Sequence, residues 1–246
     1  VGSRLVWAAT DIGHVRQTNE DSFGLPSLIC AGRKRFDCQG KLLNANSWAV
    51  IADGMGGHAA GEMASKIAVE TFRRLQDRAH TKSEIVSIFE AANRKIYDHI
   101  AAGSGRIGMG STLVGVAISH KHCFAFNIGD SRIYVRREAE LLQLSVDHTP
   151  RSNRAGRSHA LTQSLGGTSS QVPIFPHITE WPINRSDLLV LCSDGLSDML
   201  ADDQILNLLN SAHPQPALAL VNAAVAAGGR DNVTAIVIGP EIGKLD

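Results

Sequence analysis

The stretch Trp48-Ala49-Val50-Ile51-Ala52-Asp53-Gly54-Met55-Gly56-Gly57-His58 constrains this chain more than any other. Apolar or small residues run into one carboxylate, and the chain then breaks into a glycine-rich turn. A short apolar run closed by glycine reads as a buried strand. Asp53 is then fixed at the strand's end, while Gly54, Gly56 and Gly57 permit a sharp exit. Alone, the pattern is equally that of an ordinary Asp-Gly turn. The construction recurs, however. Leu188-Leu189-Val190-Leu191-Cys192-Ser193-Asp194-Gly195 is again an apolar run ending in Asp-Gly, and Phe124-Ala125-Phe126-Asn127-Ile128-Gly129-Asp130 ends in Gly-Asp. A fourth carboxylate, Asp231, precedes the apolar run from Val233 to Ile238. Apolar strands that each deliver a carboxylate at one end point to a shared acidic site.

With 246 residues, 43% of them hydrophobic, the chain can bury a substantial core. The 24 basic residues balance 24 acidic ones, so no global field recruits nucleic acid or anionic lipid. Cys30, Cys38, Cys123 and Cys192 lack paired metal-ligand spacing, and the apolar settings of Cys123 and Cys192 suit reduced thiols. No run of eighteen apolar residues and no signal-like leader is found, so a soluble cytoplasmic protein with no membrane role is expected.

Along the chain, Leu5 to Thr10 reads as a strand, followed by a polar segment from Asp11 to Asp21 that contains Arg16, Glu20 and Asp21. That segment is either a plain loop or one that projects Arg16 into the acidic site as an anion clamp. Residues 26 to 46 read as irregular. Ala59 to Arg78 and Ser83 to Ala102 have the spacing of two amphipathic helices, with Ser83 as cap of the second. Gly103 to Gly108 formally matches G-x-G-x-x-G, but it follows a helix and precedes a strand, the reverse of a dinucleotide-binding turn. His120 and His122 read as surface turn residues rather than zinc ligands. Strands are expected at Thr112–Ser119, Cys123–Ile128, Ser131–Arg136, Leu141–Leu144, 187–193 and Val233–Ile238, with helical segments at Leu196–Asn210 and Gln215–Ala227. This mixture makes an α+β layered domain.

Four aspartates in one cleft repel one another unless they are neutralised. Hard divalent cations with oxygen ligands achieve that, and the lack of convergent His or Cys favours magnesium or manganese over zinc. Two such ions lower the pKa of a shared water and steady the oxygens of a phosphoryl group, while Arg16 adds bidentate phosphate binding. Metal-assisted phosphate ester hydrolysis fits this set.

Thr10-Asp11-x-Gly13-x-x-Arg16-x-x-Asn19-Glu20-Asp21, Ala52-Asp53-Gly54-Met55-Gly56-Gly57-His58, Gly61-Glu62 and Gly110-Ser111-Thr112 form an ordered series. It continues with Asn127-Ile128-Gly129-Asp130-Ser131-Arg132, Asp147-His148, Cys192-Ser193-Asp194-Gly195 and Gly229-Arg230-Asp231-Asn232-Val233-Thr234. Spanning nearly the whole chain, this series resembles the motifs of type 2C metal-dependent serine/threonine protein phosphatases, in the form typical of their bacterial branch. The resemblance implies a single catalytic domain over residues 1–246, with a central sandwich of two antiparallel β-sheets flanked by pairs of α-helices. It implies that Asp53 bridges two Mn2+ or Mg2+ ions, that the Gly54 carbonyl serves one of them, and that Asp194 and Asp231 complete the pair. Asp130 with Asp194 binds a third ion, Arg16 holds substrate phosphate, and Glu20, Asp21 and Asn232 support the site, the two acids through metal-bound water. Direct attack of hydroxide on phosphorus follows, with Asp53 and Asp194 as catalytic ligands. Phosphorylated proteins are the implied substrates, among them a bacterial serine/threonine kinase and its targets, and a monomer is expected.

Two departures from the family pattern stand out. Met55 occupies the place of the histidine that animal members use as general acid, and Met cannot usefully donate a proton; His58 is near in sequence but reads more simply as a hydrogen-bonded turn histidine, which leaves metal-bound water as the alternative donor. The link from Asp147-His148 to Leu161-Thr162 is short and basic (Arg151, Arg154, Arg157), so the flap subdomain reads as shortened, with His159 a candidate substrate contact. A binding module without catalysis and a phosphohydrolase of small metabolites are the competing readings.

Overall fold

The computed structural model describes residues 2–43, 47–57, 59–118, 123–150 and 160–242. Strands β1 (Ser3–Asp11), β2 (Ser22–Leu25), β3 (Leu28–Ala31), β4 (Arg35–Leu43), β5 (Ser47–Ala52) and β6 (Gly54–Met55) precede helices α1 (Ala59–Leu75) and α2 (Lys82–Ala101). Then come β7 (Gly110–Ser111), β8 (Leu113–Ile118), β9 (Cys123–Ile128), β10 (Arg132–Arg137), β11 (Glu140–Gln143), β12 (Leu165–Gly166), β13 (His177–Trp181) and β14 (Leu188–Cys192). Short α3 (Asp194–Ser197), α4 (Asp202–Asn210), α5 (Pro216–Ala226) and β15 (Val233–Ile242) close the chain.

Two six-stranded antiparallel sheets, β11-β10-β14-β15-β1-β4 and β13-β9-β8-β5-β2-β3, stack face to face. The period of two along each strand decides which neighbour a side chain meets. In β5, Ala49 and Ile51 face the other sheet, whereas Trp48, Val50 and Ala52 face α1 and α2. In β14, Leu189 and Leu191 point between the sheets, whereas Leu188, Val190 and Cys192 meet α3, α4 and α5. Both faces of these strands are buried, which is why they read as continuous apolar runs rather than as alternation. Aromatic rings lock the first helix pair to its sheet: Phe72 stacks on Phe126 at 5.1 Å and Phe89 meets Phe126 edge-on at 5.7 Å. The α+β class and the four-layer helix–sheet–sheet–helix arrangement are as expected.

Registers bring the functional strand ends to one end of the sandwich. Asp11 pairs with Val233, Cys192 with Ala235, Ile51 with Val114 and Leu113 with Ile128. The ends of β1, β5, β9 and β14 and the start of β15 therefore share one rim.

Several expectations need correction. The stretch expected to be irregular, 26–46, contains β3 and the nine-residue β4 within its described part, residues 26–43. Arg35-Phe36-Asp37-Cys38-Gln39 alternates polar with apolar, the period of a half-exposed edge strand, and β4 is an edge strand paired only to β1. The cap of α2 is Thr81, whose Oγ1 accepts from Glu84 N at 3.2 Å, and Ser83 lies inside the first turn. The segment 196–210 is split, because α3 ends at Ser197 and α4 starts afresh at Asp202. A third, three-stranded ribbon β12-β7-β6 was not foreseen. All four cysteines are free, and Cys30, Cys123 and Cys192 are buried. His58, His120, His122, His159 and the arginines at 151, 154 and 157 lie outside the described residues, as does most of the shortened flap.

Asp187 anchors the opposite end of β14, away from the rim. Its fully buried carboxylate accepts from Arg137 Nε and Nη2 at 2.9 and 2.7 Å and from Asn184 N at 2.9 Å. Burial alone would raise its pKa, yet these donors hold it below the usual carboxylate value. Asp187→Ala is expected to cost about 2 kcal/mol, because it removes the acceptor of three hydrogen bonds, two from the part-exposed Arg137 and one from Asn184 N. Urea melts check this, and a loss under 1 kcal/mol contradicts it.

Candidate active site

A cleft of about 980 Å³ opens at the shared rim. Asp53, Asp130, Asp194, Asp231, Glu20 and Arg16 all line it, together with Gly54 and Asn232. The residues singled out in the sequence from five separate segments are thus brought to one place. Asp21 lies just beneath, buried rather than in the lining.

Each carboxylate is held through its backbone or its neighbours. Asp53 N donates to Thr112 Oγ1 at 3.0 Å, and the Asp53 carbonyl accepts from Thr112 N and Ser111 Oγ, each at 2.9 Å. The Gly-Ser-Thr motif at 110–112 is therefore a clamp on the end of β5. Gly54 and Gly61 are required by close approach: a Cβ on Gly54 would overlap the Gly61 carbonyl, and one on Gly61 would overlap Glu20 Oε2. Asn232 ties the arginine-bearing loop to β15. Its Oδ1 accepts from Glu20 N at 2.8 Å, and its Nδ2 donates to the carbonyls of Ile12 and Thr18 at 3.0 Å. Gly13 completes the junction with φ of 77°, where a side chain would strike the Asp231 carbonyl. Asp130 follows β9, and the neighbouring turn is pinned by Arg132, which donates to both oxygens of Asp147.

Arg16 reaches the cleft, where its Nη2 donates to Asp231 Oδ2 at 2.6 Å. Its side chain is 52% exposed, so the remaining guanidinium donors face solvent in the cleft. Asp21 Oδ2 accepts from Ser193 Oγ at 2.8 Å and Thr234 Oγ1 at 2.6 Å. Its other oxygen, Oδ1, is buried without a hydrogen-bond partner among the described residues.

Electrostatics explains what this site needs. Desolvation, followed by repulsion from Asp21, Asp194, Asp231 and Asp130, pushes Asp53 well above the ordinary carboxylate value. Desolvation first, then Asp194, raises Asp130 to about 7. Asp21 is also raised to about 7, by burial opposed by its two hydroxyl donors. Ions of two positive charges remove this penalty. The donor set is all oxygen and repels itself, and the orphaned Asp21 Oδ1 is buried beneath it, so the residues fit magnesium or manganese. Asp53, Asp130, Asp194 and Asp231, with the Gly54 carbonyl, are the oxygen groups that the lining of this cleft could offer such ions. Among the described residues, no three carboxylates, imidazoles or thiolates are already drawn tightly enough to enclose an ion. One carboxylate of the set, Asp231, is engaged by Arg16.

These shifts set a pH dependence with a definite sign. Between the ordinary value of 3.8 and about 7, the unfolded chain has released protons that native Asp21 and Asp130 still hold. Raising pH through that window therefore draws the metal-free protein toward the unfolded state. Thermal melts in EDTA are expected to show a falling Tm from pH 5 to pH 8, with manganese reversing the trend. A metal-free Tm that climbs across this range would contradict the electrostatic account.

Asp198, Met199 and Arg230, which no sequence motif marks as functional, also line the cleft. Asp198 lies four residues after Asp194, the spacing of one helix face, so the signal was available. The hydroxyls of Ser111, Thr112, Ser193 and Thr234 were visible only as motif letters. Their partners lie far away in sequence, and only the fold reveals them.

A family model described as Protein phosphatase 2C matches residues 35–225. The chain belongs to the protein phosphatase 2C family. It is 31% identical over 243 residues to serine/threonine protein phosphatase PstP of Mycobacterium tuberculosis, covering 94% of this chain and 44% of that protein. It therefore spans less than half the length of that relative. Protein phosphatase PhpP of Streptococcus pneumoniae is 31% identical over 250 residues, with 93% of this chain and 94% of that protein covered. The solved catalytic domain of serine threonine protein phosphatase PstP in complex with two manganese ions superposes with a TM-score of 0.74 at 29% identity, covering 98% of this chain and all of that one. Among the described residues, no helix is long and apolar enough to cross a membrane.

Proposed function

We propose that this chain is a manganese- or magnesium-dependent serine/threonine protein phosphatase acting as one catalytic domain over residues 1–246. The observation that carries the reading is the convergence of Asp53, Asp130, Asp194, Asp231 and Arg16 on one cleft, from strands remote in sequence. Bound divalent ions supply charge neutralisation at phosphorus and water of lowered pKa. The chain's own residues do the rest. Asp53, Asp194 and Asp231 would hold the ions: Ser111 and Thr112 clamp the Asp53 backbone, and Asn232 N donates to Asp231 Oδ1. Arg16 presents its exposed guanidinium donors to the phosphoryl oxygens while Asp231 orients it. Asn232 holds the arginine loop at the distance this requires. Met55 in the lining cannot donate a proton, and the described lining contains no histidine. In this reading water in the cleft is the candidate to protonate the leaving alkoxide, and His58 and His159 lie outside the described residues.

The substrates in this reading are phosphoserine and phosphothreonine proteins, in line with the names of the relatives; a bacterial serine/threonine kinase and its targets are what the motif resemblance implies. Four free cysteines support a reducing, cytoplasmic setting. The test is release of phosphate from a phosphothreonine peptide with manganese, compared with EDTA and with Asp194→Ala. Release only in the first sample is expected, and equal release in all three would defeat the reading.

A further inference from the structure

A buried asparagine on an apolar helix face is costly unless its amide is paired. Asn93 of α2 is 2% exposed and sits beside Phe89, Ala92 and Ile96 in the helix–sheet core. None of the chemistry at the acidic floor uses it. Its Oδ1 accepts from Gly166 N at 2.8 Å, and its Nδ2 reaches the Val172 carbonyl at 3.5 Å. One turn along the helix, the Tyr97 hydroxyl meets Thr168 Oγ1, which in turn donates to Ser170 O at 2.7 Å. Positions i and i+4 of α2 thus hold the segment 166–172 in place.

That segment is a wall of the cleft. Val172 and Ile174 line it, and Met55 lies on the same wall with its methyl group close to Gly110 and Gly167. The wall is continuous with the acidic floor, because β12 pairs with β7 and β7 pairs with β6, which carries Gly54. Among the described lining residues from 160 to 174, none is charged. Val172 is 43% exposed despite being hydrophobic. A cleft of about 980 Å³ is far larger than one phosphoryl group needs and suits several residues of a polypeptide.

We propose that the uncharged wall of Met55, Val172 and Ile174, positioned by Asn93, selects phosphorylated polypeptides with an aliphatic side chain next to the phosphorylated residue. The proposal rests on the phosphatase reading and names its substrate class. A charged neighbour of the phosphoresidue finds no partner among the described residues of this wall and leaves it wet, whereas an aliphatic one covers the exposed face of Val172.

The experiment measures kcat/KM with manganese for phosphothreonine peptides carrying leucine, glycine or aspartate immediately before or after the phosphoresidue. Leucine on one side is expected to beat aspartate by about tenfold, the scale of a modest apolar contact. Val172→Asp, a change at an exposed position, is expected to erase or invert that preference. Asn93→Ala is expected to raise KM for the leucine peptide more than it lowers kcat, because it loosens the wall rather than the acidic floor. Should Asn93→Ala fail to fold, Val172→Asp carries the test alone. Brisk turnover with no preference, or a preference that survives Val172→Asp, overturns this proposal while leaving the phosphatase reading intact. Absence of turnover on every phosphopeptide overturns both.

Discussion

Replacing Asp53 by alanine is expected to lower hydrolysis of a phosphothreonine peptide by at least about 10³-fold, since several kcal/mol of charge stabilisation at phosphorus go with the ions it holds. The same change is expected to leave the metal-free protein at least as stable as the parent. Asp53 carries a raised pKa because desolvation and then four neighbouring carboxylates disfavour its charge. Its ionisation therefore opposes folding, and the opposition grows as pH rises above the ordinary carboxylate value. Removing it helps most at pH 8, where a Tm in EDTA a few degrees above the parent's is expected, and least at pH 5. Lost activity with stability retained would be the mark of a residue kept for chemistry at the expense of the fold. A variant that unfolds in EDTA at pH 8 while the parent stays folded would show instead that Asp53 is structural.

Asn232→Ala is expected to damage stability and catalysis at once. Three hydrogen bonds from this one side chain join β15 to Ile12, Thr18 and Glu20, and Asn232 is only 5% exposed. Each is worth roughly 1 kcal/mol, and the groups left behind are shielded from water, so a loss of about 3 kcal/mol is expected. The loop that it holds carries Arg16, so kcat/KM should also fall by about 10²-fold through misplacement of the phosphate clamp. Asn232→Asp restores the acceptor to Glu20 N but not the two donors, and it adds a charge to an already crowded acidic cleft. It is therefore expected to rescue little. Urea melts and steady-state kinetics on the same preparations separate the two effects. Wild-type kcat/KM in Asn232→Ala would show that the loop does not depend on this anchor.

Much of this arrangement was legible before the fold was known, because buried strands advertise themselves. Trp48 to Ala52, Cys123 to Ile128 and Leu188 to Cys192 are apolar on both faces, so their extent and the carboxylate at each end could be read directly. Strand β4 escaped for the opposite reason. Half its residues face water, and Arg35, Asp37, Gln39 and Lys41 disguise as a loop what the alternation with Phe36, Cys38 and Leu42 gives away. The site was legible as a set of acids but not as a set of supports. Nothing local to Ser193 or Thr234 says that both donate to Asp21, since that contact spans 172 residues in one case and 213 in the other. Nor does Asn93, one polar residue on an apolar helical stripe, reveal from sequence that it holds a cleft wall. The engagement of Arg16 with Asp231 was also beyond reach, because it follows from where two loops meet.

The central claim is that aspartates from four distant segments form one cage for divalent ions. Crystals grown with manganese, with diffraction recorded on both sides of the manganese absorption edge, test it most directly. The account predicts anomalous peaks at the rim of the sandwich, enclosed by carboxylate oxygens of Asp53, Asp194 and Asp231 and by the Gly54 carbonyl. Manganese found elsewhere on the chain, or an acidic rim with no peak at saturating manganese, would contradict it.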